Sequence, residues 1–211
     1  MEHFYLSRTQ KTDKKPLTIG ITGIFGSGKT TVAGIFGREG IPVISCDAIV
    51  HRLLKKKNIL GKIRKLFGES VFEGGMLDRR KMGKLIFSSS SKRIALEKML
   101  HPHVFKEIEK RKLDYAGKSD IIVIEVPLLF ETKSEILFDK TVVVSSSPKE
   151  IKERLKGKFS EEEVAERWNN QLPLSEKEKK ADYIIRNSND KSAGRQVHLL
   201  IEKLKSEIIS G

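Results

Sequence analysis

The chain has 211 residues, of which 38% are hydrophobic and 33% are charged, and its formal net charge at pH 7 is +13. This length suffices for one α/β domain with an insertion, and recurrent apolar runs exclude a disordered chain. No apolar run is long enough to cross a bilayer, and residues 1–15 lack the apolar core of a signal peptide. The single cysteine, Cys46, cannot form an intrachain disulfide, so we expect a cytoplasmic protein with no membrane partner.

The excess of basic residues has three interpretations. Lysine-rich faces attract nucleic-acid backbones, a basic cleft can hold a phosphorylated ligand, and a solvated surface needs no ligand at all. Only 7% of the residues are aromatic, and no basic motif is interleaved with aromatic residues as in proteins that stack single-stranded bases. We therefore expect no nucleic-acid partner and assign the charge mainly to solvated surface, with a contribution from a ligand cleft.

Residues 1–15 are polar and without period, which predicts a loose extension before the first strand. Residues 17–22 then alternate apolar and small side chains, as a short buried strand does, and residues 31–36 have the pattern of a helix. Between them, residues 23–30 (GIFGSGKT) fit G-x-x-x-x-G-K-[ST] and carry an extra glycine, Gly26. A strand, a glycine-rich loop and a helix are the context in which this motif forms a P-loop.

The P-loop assigns roles to single residues. Its glycines let the backbone curl around an anion, and the following helix adds the positive end of its dipole. Lys29 is expected to reach the β- and γ-phosphates of a nucleotide, and the Thr30 hydroxyl to hold Mg²⁺. The predicted nucleotide contacts in this stretch are Gly26, Ser27, Gly28, Lys29, Thr30 and Thr31.

A second apolar strand at residues 41–45 ends just before Asp47. Two short strands separated by a helix predict a parallel βαβ unit, whose carboxyl edge binds ligands. Asp47 is thus placed either to take the proton of an acceptor hydroxyl or to cap the helix that follows. The spacing alone leaves both roles open.

Residues 49–117 predict a helical insertion, because their apolar residues recur at helical spacing and no strand comparable to the first two is found. The serines at 88–91 are placed to cap one of its helices. Seven basic residues lie between Asp47 and Glu69 with no acidic residue among them. They form either a solvated helix face or a surface that attracts an anionic substrate.

Three more apolar strands, at residues 120–126, 140–144 and 181–185, predict a five-stranded parallel sheet. Ser147 and Pro148 start a helix, and residues 194–209 form a closing amphipathic one. The predicted core is therefore residues 16–48 and 118–211, with a strongly charged, mobile lid at about 156–172.

Charged side chains near the lid are candidates for phosphate binding. Arg154, Lys158 and Arg167 either clamp phosphates or form exposed ion pairs of little worth. Glu125 and Glu131, at the carboxyl edge of the third strand of the sheet, either position metal-bound water or pair with lysine. His101 and His103 lack a nearby cysteine or acidic cluster, so we do not assign them a metal.

In their order along the chain, these motifs resemble the dephospho-CoA kinase family, and the match runs from Leu17 to the final helix. The motifs are the P-loop, Asp47, Leu77-Asp78-Arg79, His101-Pro102, residues 126–131 (VPLLFE), Gln171-Leu172-Pro173 and residues 181–187 (ADYIIRN). The resemblance implies an α/β P-loop NTPase fold with an inserted substrate subdomain. It also implies that ATP, with Mg²⁺, phosphorylates the ribose 3′-hydroxyl of dephospho-CoA, the last step of coenzyme A synthesis.

The resemblance further implies residue roles. Asp47 is the base toward the 3′-hydroxyl, and Lys29 completes the P-loop contacts. The dephospho-CoA side takes Arg79, His101 and Leu128. Arg154 and Arg167 act from the lid on the ATP phosphates, with Lys158, and Asn187 borders the adenine.

The chain departs from the family pattern at three places. It has Ser45-Cys46-Asp47 where the family commonly has Asp-Ala-Asp, and its lid is about two residues short, with Lys158 where an arginine is usual. Ser188-Asn189 replaces a glycine.

The alternative functions are another P-loop kinase for a nucleotide or sugar, a nucleic-acid-stimulated ATPase, or a non-catalytic nucleotide-binding regulator. We expect a monomer or a weak homo-oligomer.

Overall fold

The computed structural model describes residues 15–210, so the predicted N-terminal extension lies outside the described residues except for Lys15. The strands are β1 (Leu17–Thr22), β2 (Val43–Ser45), β3 (Phe72–Glu73), β4 (Met76–Leu77), β5 (Ile121–Glu125), β6 (Lys140–Ser145) and β7 (Tyr183–Arg186). The helices are α1 (Lys29–Arg38), α2 (Cys46–Leu53), α3 (Lys57–Phe67), α4 (Arg79–Phe87), α5 (Ser90–Tyr115), α6 (Pro148–Leu155), α7 (Glu161–Asn169), α8 (Leu174–Lys180) and α9 (Asp190–Ser210). Short 3₁₀ helices cover Glu69–Val71 and Ser134–Leu137.

Five strands form one parallel sheet in the order β2-β5-β1-β6-β7. The central strand β1 places Ile19 opposite Val123 of β5 on one side and Lys140 of β6 on the other. Every residue of β5 is buried, as expected of a parallel strand covered on both faces. The predicted α/β P-loop NTPase fold is confirmed.

The two faces of the sheet are covered by different sets of helices. Along β5, Ile121 and Val123 pack with α1 and α9, whereas Ile122 and Ile124 pack with the helices of the insertion. This alternation follows from the two-residue period of a strand. The insertion therefore shares its apolar core with the sheet.

The insertion is helical, as predicted, and also contains a hairpin that the sequence analysis missed. Strands β3 and β4 pair antiparallel over two residues each, and the turn between them uses Gly74 and Gly75 at φ 55° and 77°. Two-residue strands are too short to show a period of two, so only the glycine pair marked the turn. Ser89 caps α5 by accepting a hydrogen bond from the Lys92 N–H, which confirms the predicted serine cap.

Three element boundaries differ from the sequence prediction. Strand β2 begins at Val43 because Pro42 has no N–H to donate, although the Pro42 carbonyl still accepts from Val123. Strand β7 begins after Asp182, whose carboxylate accepts hydrogen bonds from the Thr141 N–H and hydroxyl, both at 2.7 Å. Helix α9 begins at Asp190 because the Asn189 side chain accepts from the Ser192 N–H.

Helix α6 starts at Ser147 and Pro148 as predicted, with a reciprocal capping box between Ser147 and Glu150. The predicted lid contains helix α7, which begins with a second capping box, between Ser160 and Glu163. Each capping box determines the residue at which its helix begins. Within residues 15–210, none of the helices combines the length and apolar character needed to span a membrane.

Cys46 provides a test of this packing. The thiol is buried beneath the end of β2, and its burial, followed by the nearby charges of Asp47 and Glu125, raises its pKa to about 12. At pH 8 the thiolate population should thus be about a thousandfold below that of a free cysteine. We expect dithionitrobenzoate to label the native protein very slowly and the urea-unfolded protein at once. Rapid stoichiometric labelling of the native protein would contradict this packing.

Candidate active site

The P-loop connects β1 to α1 and takes backbone conformations that require glycine. Gly26 and Gly28 have φ near 85°, and Gly28 forms the N-terminal boundary of α1. A Cβ atom on Gly28 would lie 2.1 Å from the Asn187 side-chain nitrogen, and one on Gly23 would lie 2.5 Å from the Val144 carbonyl oxygen. The loop is therefore packed too closely for side chains at these positions.

The Ser27 carbonyl anchors the loop from behind. It accepts hydrogen bonds from the Ser146 hydroxyl, the Asn187 amide at 3.0 Å and the Arg154 guanidinium at 3.2 Å. With this carbonyl held by three donors, the N–H groups that follow it lie at the start of α1. This is the arrangement that binds an anion.

The Lys29 ammonium lies within the loop, where it donates to the carbonyl oxygens of Gly23 at 3.0 Å and Ile24 at 3.2 Å. Burial and, after it, the charge of Lys177 lower its pKa to about 8, while the charges of Glu125 and Asp47 oppose the shift. Carbonyl oxygens are weaker partners for an ammonium than phosphate oxygens are. A bound polyphosphate would therefore compete favourably for Lys29.

Glu125 and Thr30 meet in front of the loop. The Thr30 hydroxyl donates to the Glu125 carboxylate at 2.7 Å, and Glu125 is buried at the carboxyl end of β5. These are hard oxygen donors of the kind that Mg²⁺ prefers. No group of three or more His, Cys, Asp or Glu residues suited to a metal occurs among residues 15–210. Mg²⁺ in kinases needs only one or two protein oxygens besides phosphates and water, so these residues fit it.

The structure separates the two glutamates that the sequence left open. Glu131 forms a 2.8 Å ion pair with the fully buried Lys177. The same carboxylate oxygen of Glu131 accepts a hydrogen bond from the Leu172 N–H. Of the two alternatives, Glu131 thus pairs with lysine and Glu125 lies at the candidate metal site.

Asp47 does not cap α2. The cap is Ser45, whose hydroxyl accepts from the Ala48 N–H at 3.3 Å, so the capping alternative for Asp47 was wrong. Asp47 lies in the first turn of α2 and borders a cleft of about 500 Å³ together with Lys29, Thr30 and Glu125. Ser45, at the position where the family commonly has its first carboxylate, supplies the cap.

Two further cavities adjoin this cleft. One of about 180 Å³ is lined by Asp47, His101, Leu128 and mostly apolar side chains, so it shares Asp47 with the cleft. The other, of about 800 Å³, combines apolar side chains with Arg79 and other basic residues, and it shares Arg167 with the cleft. The structure therefore brings His101 and Leu128 next to Asp47, and it places Arg79 in the larger cavity.

Arg79 has a partner that the sequence analysis did not identify. Its guanidinium donates to His51 Nδ1 at 2.7 Å, and the charge of Arg79 lowers the pKa of His51. The contact joins α2 to α4 at the mouth of the larger cavity. Histidine at the exposed end of a helix gives no sequence signal for such a role.

Arg154 and Asn187 lie on the side of the P-loop where the Ser27 carbonyl is held. Arg154 is on α6 and precedes the lid, and its guanidinium donates to Ser27, Ser146 and the Asn187 carbonyl oxygen. Asn187 is buried and borders a further cavity of about 490 Å³, which Ser188 and Gln196 also line. Both residues thus support the loop directly.

The lid is attached to the P-loop through Phe25. The Phe25 N–H donates to Gln171 at 2.8 Å, and the Phe25 carbonyl accepts from the Trp168 indole at 3.0 Å. The Arg167 guanidinium lies 4.5 Å from the centre of the Phe25 ring. The Phe159 ring packs edge-on against the same Phe25 ring. Of the other predicted contacts, Lys158 and Thr31 are exposed and line none of these cavities.

Comparison with known proteins assigns the family. A family model described as dephospho-CoA kinase matches residues 17–193, which is most of the chain. This chain belongs to the dephospho-CoA kinase family. A dephospho-CoA kinase of Bacillus thuringiensis subsp. konkukian is 42% identical over 176 residues, covering 81% of this chain and 88% of that protein.

Solved structures agree with this family. The crystal structure of TT1252 from Thermus thermophilus has a TM-score of 0.78 at 33% identity and covers 92% of this chain and 98% of that chain. The dephospho-CoA kinase from Campylobacter jejuni has a TM-score of 0.57 at 26% identity and covers 94% and 100%. Membership of the dephospho-CoA kinase family therefore extends across sheet, insertion and lid.

The close approach of Gly28 and Asn187 generates a prediction. We expect Gly28→Ala to lower the free energy of unfolding by about 1–3 kcal/mol and to weaken ATP binding, because the methyl group displaces the Asn187 amide from the Ser27 carbonyl. Urea unfolding and calorimetric titration with ATP measure the two effects. The control is Gly34→Ala in the same helix, where the nearest atom is 3.9 Å from the new Cβ. That variant should gain about 0.5–1 kcal/mol, and equal stability of the two variants would contradict the packing described.

Proposed function

We propose that this chain transfers the γ-phosphoryl group of ATP to the ribose 3′-hydroxyl of dephospho-CoA, giving coenzyme A and ADP. The observation that carries the proposal is the position of Asp47. It borders both the cleft in front of the P-loop and the cavity that contains His101, so donor and acceptor meet at its carboxylate.

The donor side uses the core, residues 16–48 and 118–211. The P-loop N–H groups and Lys29 bind the phosphates, and the cavity beside Asn187 takes the adenine. Arg154 keeps the loop in shape, and Arg167 meets the phosphates from the lid at residues 156–172. Thr30, with Glu125 nearby, would hold Mg²⁺, which when bound would supply positive charge against the phosphates.

The acceptor side uses the insertion, residues 49–117. The small apolar cavity beside Asp47, with His101 and Leu128, takes the adenosine end of dephospho-CoA. The larger cavity suits the rest of that molecule, because Arg79 and its basic neighbours match a diphosphate and the apolar lining matches the pantetheine arm. The carboxylate of Asp47 accepts the 3′-hydroxyl proton as the new O–P bond forms.

We further propose a cytoplasmic protein that acts as a monomer or weak homo-oligomer and has no nucleic-acid partner. The free, buried Cys46 suits a reducing compartment. The basic surface is assigned to solvent and to the anionic substrates.

The direct test is to incubate the protein with ATP, Mg²⁺ and dephospho-CoA and to separate the products by chromatography. We expect coenzyme A and ADP in equal amounts. Coenzyme A offered as the acceptor is the matched control, because its 3′-hydroxyl is already phosphorylated, and it should yield no ADP. ADP formed without coenzyme A, or formed faster with a nucleoside monophosphate, a sugar or RNA, would favour one of the alternative activities.

A second prediction concerns the proton acceptor. Asp47→Asn should lower kcat by about 10²–10⁴-fold while ATP and dephospho-CoA still bind, because the amide cannot accept the proton. Stability should hardly change, since Ser45 and not Asp47 caps α2. Steady-state kinetics and thermal unfolding measure both. A kcat within a factor of about three of the parent enzyme would rule out Asp47 as the base.

Ser45→Ala is the control for Asp47→Asn. It removes the cap and should lower the free energy of unfolding by about 1 kcal/mol. The pair of variants thus separates chemistry from stability on two neighbouring residues. An equal loss of kcat in both variants would mean that the α2 N-terminus, and not the carboxylate, matters.

A further inference from the structure

Arg93 reaches the candidate active site from the acceptor side of the molecule. It lies on α5, in the insertion, and lines the same cleft of about 500 Å³ as Lys29, Asp47 and Arg167. Neither the sequence motifs nor the roles given above assign it a function. Resting on the proposed kinase reaction, we propose that Arg93 binds the phosphoryl group that is transferred.

The guanidinium is held in a defined position. It donates through Nη1 to the side-chain oxygen of Asn170, which follows the last residue of α7. The amide of Asn170 is itself oriented, because its nitrogen donates to the Glu166 carbonyl at 2.8 Å. Only the amide oxygen is then left to face Arg93, so Asn170 positions the arginine without neutralising it.

Arg93 also keeps its charge available. Arg64 and Arg111, on α3 and α5, pair with Glu69 and Glu107, whereas no carboxylate among residues 15–210 forms an ion pair with Arg93. A guanidinium has five N–H donors, and Asn170 uses one. An arginine that borders a ligand cleft with four donors left is suited to phosphoryl oxygens.

Three cations line the cleft where the phosphoryl group would be transferred, and their charge complements that of the transition state. In such a transition state, negative charge is spread over three equatorial oxygens, and the attacking and leaving oxygens are in line. Lys29 comes from the P-loop, Arg167 from the lid and Arg93 from the insertion. Three elements thus each place a positive group around the space that Asp47 borders.

The contact with Asn170 has a competing explanation, in which Arg93 merely fastens the insertion to the lid. Asn170→Asp separates the two explanations. A carboxylate at this position would strengthen the contact with Arg93 but neutralise its charge. A fastening role predicts unchanged or higher activity, and a phosphoryl-binding role predicts a loss.

The experiment compares Arg93→Met, Arg93→Lys and Asn170→Asp with the parent enzyme. Trp168, the sole tryptophan, lies against the P-loop and reports nucleotide binding by fluorescence. We expect Arg93→Met to bind ADP within about threefold of the parent, to bind the ATP analogue AMP-PNP about tenfold more weakly and to lose about 10²-fold in kcat. Arg93→Lys should keep part of the parent's affinity for AMP-PNP and of its kcat. Asn170→Asp should lose kcat as Arg93→Met does.

Lys98→Met is the matched control. Lys98 is an exposed cation on the same helix as Arg93, and it lines none of the cavities around the site. Its substitution should change neither the ratio of AMP-PNP to ADP affinity nor kcat. The proposal is overturned if Arg93→Met leaves the ratio of AMP-PNP to ADP affinity unchanged. It is also overturned if only the KM for dephospho-CoA rises, which would assign Arg93 to the acceptor, or if Asn170→Asp keeps full activity. A parent enzyme that forms no coenzyme A would refute the proposed acceptor, while the affinity ratio would still decide the role of Arg93.

Discussion

The active site depends on one carbonyl group, that of Ser27. Three donors hold it, from Ser146 just after β6, Arg154 on α6 and Asn187 after β7. Each bond on its own is worth about 1 kcal/mol, and the charged one somewhat more. Together they fix the peptide whose orientation decides whether the glycine-rich loop presents N–H groups or carbonyl oxygens to a phosphate.

The lid acts on the same loop from the opposite side. Phe25 is bonded at both its N–H and its carbonyl to residues 168–171, and the next residue, Leu172, donates to Glu131. Glu131 in turn is paired with the buried Lys177 on α8. Removing either partner would leave an uncompensated buried charge, which is strongly destabilising. Residues 168–172 thereby link the lid and the P-loop to Glu131 and α8.

Much of this fold could be predicted from the sequence, because buried parallel strands and a P-loop leave strong local patterns. Whether Asp47 caps α2 could not, since a base and a cap occupy the same position after a strand, and only the contact of Ser45 with Ala48 excludes the cap. Phe25 and Arg93 left no signal at all. Their partners, Trp168 and Asn170, are far away along the chain, and nothing in the local pattern of residues encodes such a pairing.

The order of the strands also bears on how the protein is synthesised. The P-loop leaves the ribosome before β5 and β6, with which β1 pairs, because both strands follow the whole insertion along the chain. The last of the three donors to Ser27 along the chain, Asn187, is made only after β7, the last strand of the sheet. A nascent or prematurely terminated chain thus carries the complete glycine motif without the groups that shape it. We therefore expect the P-loop to take its nucleotide-binding shape only once the chain has been made through Asn187.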